Sequence, residues 1–204
     1  KYVELHDAYM SVHEALKHAA IHLGVEVEVE WVHAVDLEKG KSWNQVEDAG
    51  GILVPGGFGS RGVEGKVKAI RYARENKIPF LGLCLGMQLM VVEFGRMALD
   101  DESTNSAEFD HQTVHPVIDL MLEQREITDM GGTMRLGLYP CHLQNGTISA
   151  SLYEDSIVEE RHRHRFEFNN EYRKAFEEKG LVYAGLSPDG NLVEIVENKN
   201  HPFM

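Results

Sequence analysis

Phe80-Leu81-Gly82-Leu83-Cys84-Leu85-Gly86-Met87-Gln88 is where an apolar strand pattern turns into an apolar helix pattern. The strand side is the short run Ile78 to Leu83, opened by Pro79. The helix side continues through Leu89, Val92 and Phe94. Between them stands Gly-x-Cys-x-Gly, the cysteine form of a nucleophile elbow, a sharp strand-to-helix turn that pushes one side chain into the open. The flanking glycines leave room where a β-carbon would clash. The N-terminal N–H groups of the following helix point at Cys84 and favour a thiolate over a thiol. Taken alone, the pattern also describes a buried structural cysteine beside two packing glycines.

The flanks supply a fold. Gly51 to Pro55 is an apolar run of the type found in buried parallel strands, and Gly56-Gly57-Phe58-Gly59 follows at once. Val63 to Asn76 reads as a helix with Val67, Ile70 and Ala73 inward. A strand, a helix and the elbow strand form a crossover unit, and its right-handed sense sets the glycine loop and Cys84 side by side. This predicts an α/β fold: an open, mostly parallel, doubly wound sheet with helices on both faces and its site at the carboxyl ends of the strands.

Towards the N-terminus, Lys1 to Leu5 reads as an opening strand. Ser11-Val-His-Glu14 reads as a capping box before an amphipathic helix, with Val12, Ala15, Leu16, Ala19, Ala20 and Leu23 inward and Gly24 as its end. Val25 to Val32 alternates strictly and predicts a strand with one wet face. Asp36 to Asp48 reads as a loop with a short helix. Beyond the elbow, Asp100 to Asp110 is loop-like, Val114 to Leu122 apolar, and 138–150 strands and turns. Tyr153 to Glu160 reads as a short helix, Arg161 to Phe168 as a strand, and Asn170 to Lys179 as a helix closed by Gly180. Leu181 to Leu186 and Leu192 to Val196 form a closing hairpin around Ser187-Pro-Asp-Gly190.

The formal net charge of −13, from 33 acidic and 20 basic residues, argues against nucleic acid or an anionic membrane as partner. The chain of 204 residues suffices for one α/β domain over its whole length. It has two cysteines, no secretory signal pattern and no long apolar stretch, which makes a reducing cytoplasm the expectation. His13, His18 and His22 flank one helix and are read as solvated. Arg161, Arg163 and Arg165 share one strand face with His162 and His164 on the other. This reads as a solvated basic edge, with metal binding by the two histidines as an outlying alternative, and no metal ligand is assigned.

Gly56-Gly57-Phe58-Gly59 has two readings. As a phosphate cradle it lacks the Gly-Lys-Ser/Thr of a P-loop and the Gly-x-Gly-x-x-Gly of a dinucleotide fold. As an oxyanion hole it fits acyl transfer by Cys84: one donor is the N–H of Leu85 and the other comes from the glycine loop, at Gly57. A bulky residue at Gly57 is then expected to hinder the backbone conformation the hole needs.

Leu53-Val-Pro-Gly-Gly-Phe-Gly59, Gly82-Leu-Cys-Leu-Gly-Met-Gln88 and Asn105-Ser-Ala-Glu-Phe109 resemble the glutamine amidotransferase domain of the CTP synthase family. So do Gly131-Gly-Thr-Met-Arg-Leu-Gly137, Glu160-Arg-His-Arg-His-Arg-Phe-Glu167 and the opening Lys1 to Leu5. The resemblance covers nearly the whole chain, 1–204. It implies that Cys84 attacks the side-chain amide of L-glutamine, giving a thioester and ammonia. It implies that Gly57, Leu85, Gly86, Met87 and Gln88 hold the glutamine and its oxyanion. Glu108 would take the α-amino group, and Arg165 would help hold the α-carboxylate. A zwitterionic substrate wants one anion and one cation at fixed separation, and arginine binds a carboxylate through two parallel hydrogen bonds. Without the resemblance, Glu108 reads as a surface acid. Two other readings stay open: a protease-like or chaperone-like relative with an elbow cysteine, and a non-catalytic binding module of the same fold. Glu108 and Arg165 discriminate, since only an amino-acid substrate needs that pair.

The family implies more than these residues carry. Ammonia passes to a separate synthase domain that uses ATP, Mg and UTP to make CTP, with GTP as activator and a homotetramer as the full-length assembly. This domain itself is expected to hold no cofactor. Thioester chemistry also needs a general base beside the thiol and a group that orients it. The family supplies these as a His-Pro-Glu segment on a late strand. Here His201-Pro202 is followed by Phe203, so His201 is read as a decoy and the base as lying about ten residues past Met204, an offset taken from the resemblance.

Overall fold

Ile52–Val54 and Phe80–Gly82 pair in parallel, with Ile52 opposite Phe80, Leu53 opposite Leu81 and Val54 opposite Gly82. Parallel neighbours need a crossover, supplied here by the helix Val63–Asn76, which has the bounds read from its apolar spacing. The structure is a computed structural model that describes residues 6–120 and 134–202. In chain order its elements include α1 (Met10–Leu23), α2 (Ala34–Glu38), α3 (Trp43–Glu47), β1 (Ile52–Val54), α4 (Val63–Asn76), β2 (Phe80–Gly82) and α5 (Leu85–Leu99). Then come β3 (Asn105–Ser106), β4 (Pro116–Asp119), β5 (Arg135–Leu143), β6 (Ile157–His164), β7 (Glu167–Phe168), β8 (Leu181–Leu186) and β9 (Val193–Asn198). Two more short helices, Ile148–Tyr153 and Arg173–Glu178, precede β6 and β8.

α5 is the centre of the core. It is apolar almost all round, and a helix of that kind belongs inside a domain. Leu89, Met90, Val91, Val92 and Phe94 are buried, packed with Ile70 of α4, Phe80 of β2, Ile118 of β4 and Phe176. The fully buried Glu93 would be costly there without a partner. Arg74 of α4 meets its two oxygens at 2.9 Å each, and Arg71 adds a contact at 3.5 Å. This ion group fixes α4 against α5, and so fixes the crossover against the elbow helix.

Two further sheets complete the frame. β3 and β4 run parallel, and β7 pairs antiparallel with β4. β6, β5, β8 and β9 form a four-stranded antiparallel sheet in that order. The α/β class read from the sequence stands, and its parallel pairs lie where the elbow needs them. The second half of the chain adds the antiparallel sheet, which includes the closing hairpin in its expected place.

Several local readings differ. Val25 to Val32 forms no strand: the segment is irregular, with Val25 and Val27 exposed. Alternation describes a chain with two unlike faces, but a strand also needs a partner edge for its backbone groups, and among the described residues no strand pairs with this one. α1 starts at Met10 with Tyr9 as N-cap and no side-chain cap, so Ser11-x-x-Glu14 is not its capping box. Of its six expected inward positions only Ala20 is buried, and Leu23 is exposed. Gly24 does end it in the left-handed conformation. The short helix expected over Tyr153 to Glu160 ends instead at Tyr153, because Thr147 caps its start by accepting from Ala150 N–H, and Ile157 already belongs to β6. The opening strand Lys1 to Leu5, and Gly131 to Thr133 of the glycine-punctuated stretch, lie outside the described residues.

Candidate functional site

The elbow is built by the chain's need to rise from β2 over β1 and into α5. Leu83 N–H donates to the Val54 carbonyl at 2.9 Å, extending the parallel ladder by one bond. The chain then turns at Cys84, with φ 52° and ψ −105°. A positive φ at a non-glycine residue costs on the order of 1–3 kcal/mol and persists only when its surroundings over-determine it. Here they do. Gly86 N–H donates to the Leu83 carbonyl at 2.9 Å, and Gln88 N–H donates to the Cys84 carbonyl at 3.1 Å. A β-carbon on Gly82 would lie 2.6 Å from the Gly86 carbonyl carbon. One on Gly86 would lie 2.9 Å from the Val54 carbonyl carbon and closer still to its oxygen. Both glycines are therefore space requirements, as the sequence reading supposed.

The Cys84 side chain is exposed, and Leu85 N–H donates to its sulfur. The thiolate expectation needs correction. Partial desolvation raises the thiol above its ordinary value; the Leu85 N–H opposes this, while the charges of Glu108 and Glu167 add to the rise. The helix N-terminus helps the thiolate, but its surroundings outweigh it. Alkylation of Cys84 by a small neutral reagent such as iodoacetamide should therefore climb with pH through a midpoint above the ordinary thiol range. Glu108→Gln should move that midpoint down, since one source of repulsion is gone. A midpoint near or below neutrality in the parent chain would contradict this account.

Three loops converge on the sulfur. A β-carbon on Gly56 would sit 3.4 Å from Cys84 Cβ and 3.9 Å from its Sγ. Gly57 is different from its sequence reading. Its φ lies outside the left-handed region, and an added β-carbon would meet nothing closer than Leu85 Cδ2 at 3.6 Å. Space and backbone permit a side chain at Gly57, and the contacts at Gly56 are of ordinary van der Waals length. Gly59 does take the left-handed φ of 83°, and its N–H donates to the Glu108 carboxylate. Glu108, half-buried after β3, is pushed up by burial, against the pull of that N–H and of the Arg165 charge. Arg165, half-buried, follows β6. Its segment is braced by Gln88, whose Nε2 donates to the Phe166 carbonyl at 2.9 Å. Arg163 sits over the Phe58 ring at 5.7 Å and ties the glycine loop to β6. Thus Cys84, the Gly56–Gly59 loop, Glu108 and Arg165, 109 positions apart at their extremes by number, come to one place.

A cavity of about 600 Å³ opens beside the elbow. Cys84, Met87 and Gln88 line it, as do His162, His164 and Glu194. Joined to Glu194 is a polar group to which the sequence reading gave no role. Arg135 pairs with both oxygens of Glu194, at 2.8 and 3.1 Å, and reaches Glu167 at 3.4 Å. Burial pushes Glu167 up to about 8, against the Arg135 charge. Burial, with His162 and Arg135 nearby, pushes His164 down to about 4. Alternation placed both histidines on one face, but no local pattern signals Glu194, which arrives from β9. His201 is buried with its Nε2 3.1 Å from the Ala73 carbonyl and is not among the residues lining this cavity. Cys141 is fully buried and free.

The family model for class-I glutamine amidotransferases matches residues 4–204. A CTP synthase of Shouchella clausii (strain KSM-K16) is 57% identical over 203 residues, and one of Moorella thermoacetica (strain ATCC 39073 / JCM 9320) is 58% identical over 203. Each match takes in 100% of this chain but only 38% of the relative, so the chain spans well under half the length of these curated relatives. Among solved structures, the Trypanosoma brucei CTPS glutaminase domain with bound acivicin superposes with a TM-score of 0.90 at 34% identity, covering 100% of this chain and 80% of that one. With an elbow cysteine on a parallel strand pair and a family match over almost its full length, this chain belongs to the class-I glutamine amidotransferases.

Proposed function

We propose that this chain is the glutaminase half of a CTP synthase. The observation that carries the reading is Cys84 in its left-handed elbow, with the charge of an anion, Glu108, acting on its thiol and the charge of a cation, Arg165, acting on Glu108. L-Glutamine binds with its α-amino group at Glu108 and its α-carboxylate at Arg165. The sulfur of Cys84 attacks the side-chain amide carbon. The carbonyl oxygen takes the negative charge, and the N–H groups of Leu85 and the Gly57 loop stabilise it. The C–N bond breaks, ammonia leaves with a proton, and a thioester remains. Water then attacks the thioester, releasing glutamate and restoring the thiol. Because the resting thiol is held up, a base must take its proton as the substrate is attacked.

The ammonia serves an ATP- and Mg-dependent synthase domain that aminates UTP to CTP, with GTP as activator; the length of the curated relatives supports such a partner domain. No cofactor is needed in the glutaminase half. Among the described residues no helix is long and apolar enough to cross a membrane. A cytoplasmic setting is supported by two free thiols, one of them exposed.

A glutamine-like diazoketone or chloroketone tests the reading, with the adduct located by mass spectrometry. One adduct per chain is expected, on Cys84, and glutamine should slow its formation. Arg165→Ala should weaken that protection by about ten- to a hundredfold, the worth of a charged hydrogen bond of about 1.5–3 kcal/mol. Iodoacetamide, which has no carboxylate, should react with the variant at the parent rate. Labelling that glutamine does not slow would point to the protease-like, chaperone-like or non-catalytic alternatives.

A further inference from the structure

The lining of the cavity that Cys84 also borders brings together three metal-ligating side chains that the proposed glutaminase chemistry leaves idle. His162 and His164 stand two residues apart on β6, so they point to the same face. Glu194 reaches them from β9, a strand on the far side of the same sheet. One donor atom from each lies within 4.8 Å of the other two. His162 Nδ1 is 2.9 Å from His164 Nε2 and 3.6 Å from Glu194 Oε2. Donors around a tetrahedral zinc ion at about 2.0–2.1 Å stand about 3.4 Å from one another. The measured sides bracket that edge.

We propose that His162, His164 and Glu194 form a binding site for one divalent cation of zinc's class, open to the cavity that Cys84 also lines.

The surrounding contacts suit the role. His164 Nδ1 lies 3.2 Å from the Phe166 carbonyl and donates its hydrogen there, which leaves Nε2 as the nitrogen with a lone pair aimed at the cluster. A ligating histidine is commonly oriented in this way through its other nitrogen. His162 stacks edge-on against Tyr139, with ring centroids 5.5 Å apart, so its ring is held by packing. Without an ion, His162 Nδ1 donates its hydrogen to His164 Nε2; with an ion bound at Nδ1 that hydrogen moves to Nε2, which is buried without a hydrogen-bond partner among the described residues. Arg135 occupies both oxygens of Glu194, but each carboxylate oxygen has two lone pairs, so Oε2 can bridge the guanidinium and an ion. Two imidazoles and one carboxylate select zinc, cobalt, nickel or copper over magnesium or calcium. The three protein donors leave the remaining coordination position to the cavity, where water or an anionic group can enter.

The test is a titration of the purified chain with Co²⁺, followed by visible absorption, with Zn²⁺ as competitor. One ion per chain is expected, with a d–d band displaced by Zn²⁺ and no thiolate charge-transfer band. His164→Ala and Glu194→Gln should each weaken binding by about a hundredfold or more, and His22→Ala on the distant α1 should leave it unchanged. Thermal midpoints report whether each variant folds. A readout that needs no variant is diethylpyrocarbonate modification of the parent chain, mapped by peptide mass, where Zn²⁺ should shield His162 and His164 but not His22. Absence of saturable binding below millimolar ion would overturn the proposal. So would binding that survives His164→Ala and disappears in Cys84→Ser, since the ion would then be held by the thiol.

Discussion

In a full-length enzyme carrying this chain, Cys84→Ser is expected to lower glutamine hydrolysis by at least about 10⁴-fold, the scale on which enzymes lose rate when a nucleophile acting as part of a unit is removed. A serine hydroxyl is a far weaker nucleophile than a thiolate, and the site offers it no more help than it offers the thiol. The surroundings already oppose negative charge at this position through partial desolvation and through Glu108 and Glu167. They would oppose an alkoxide more strongly. The substitution itself is mild: the side chain is exposed, and serine takes the same backbone conformation. In a full-length enzyme carrying this chain, amination driven by added free ammonia should therefore survive, and the thermal midpoint should stay within a few degrees. Hydrolysis that persists in Cys84→Ser would remove Cys84 from the mechanism. Loss of both reactions together with a fallen midpoint would make it a structural residue.

Gly86→Ala is expected to be the most damaging single methyl that can be added at the elbow. The new β-carbon would lie 2.9 Å from the Val54 carbonyl carbon and nearer its oxygen. Those atoms are backbone, in a strand held by β2, and α5 is buried on nearly every side, so neither partner can step back. Overpacking a core costs about 1–3 kcal/mol and occasionally more, and this contact belongs at the upper end. At about 2–4 °C per kcal/mol for a domain of this size, the midpoint should fall by roughly 10 °C. The turn at Cys84 should loosen with it, which slows the electrophile labelling of Cys84. Gly57→Ala is the matched control. Its nearest neighbour would be 3.6 Å away with no left-handed backbone to strain, so its stability should be close to that of the parent. Thermal denaturation of the pair decides the matter: a Gly86→Ala midpoint within 2 °C of the parent would refute the packing account.

The elbow was legible because its causes are local. Gly82 and Gly86 are two residues either side of Cys84, and their spacing alone states how closely a helix must cross a strand. The crossover helix was legible for a similar reason. Val67, Ile70 and Ala73 repeat with the period of a helix, and all three are buried. The 25–32 segment shows where such reasoning stops. Its alternation is as regular as that of β6, yet β6 has β5 along its whole length, while among the described residues no strand pairs with the 25–32 segment. Similarly, the pattern of α1 marks a face fit for burial without stating what would bury it.

By itself, then, the sequence determined the α/β class, the Gly-x-Cys-x-Gly elbow, the crossover from β1 to β2 and the β8–β9 hairpin. Each follows from propensities and steric limits that act within about thirty residues. Only the tertiary structure decided that Gly56 rather than Gly57 is the glycine set beside the sulfur, and that Gln88 braces the Arg165 segment. It also decided that the thiol is raised rather than lowered, and that Glu194 joins His162 and His164. Those are facts about which charges and atoms from distant strands end up within a few ångströms of one another. Desolvation and Coulomb forces depend on that distance in space, and no spacing along the chain encodes it.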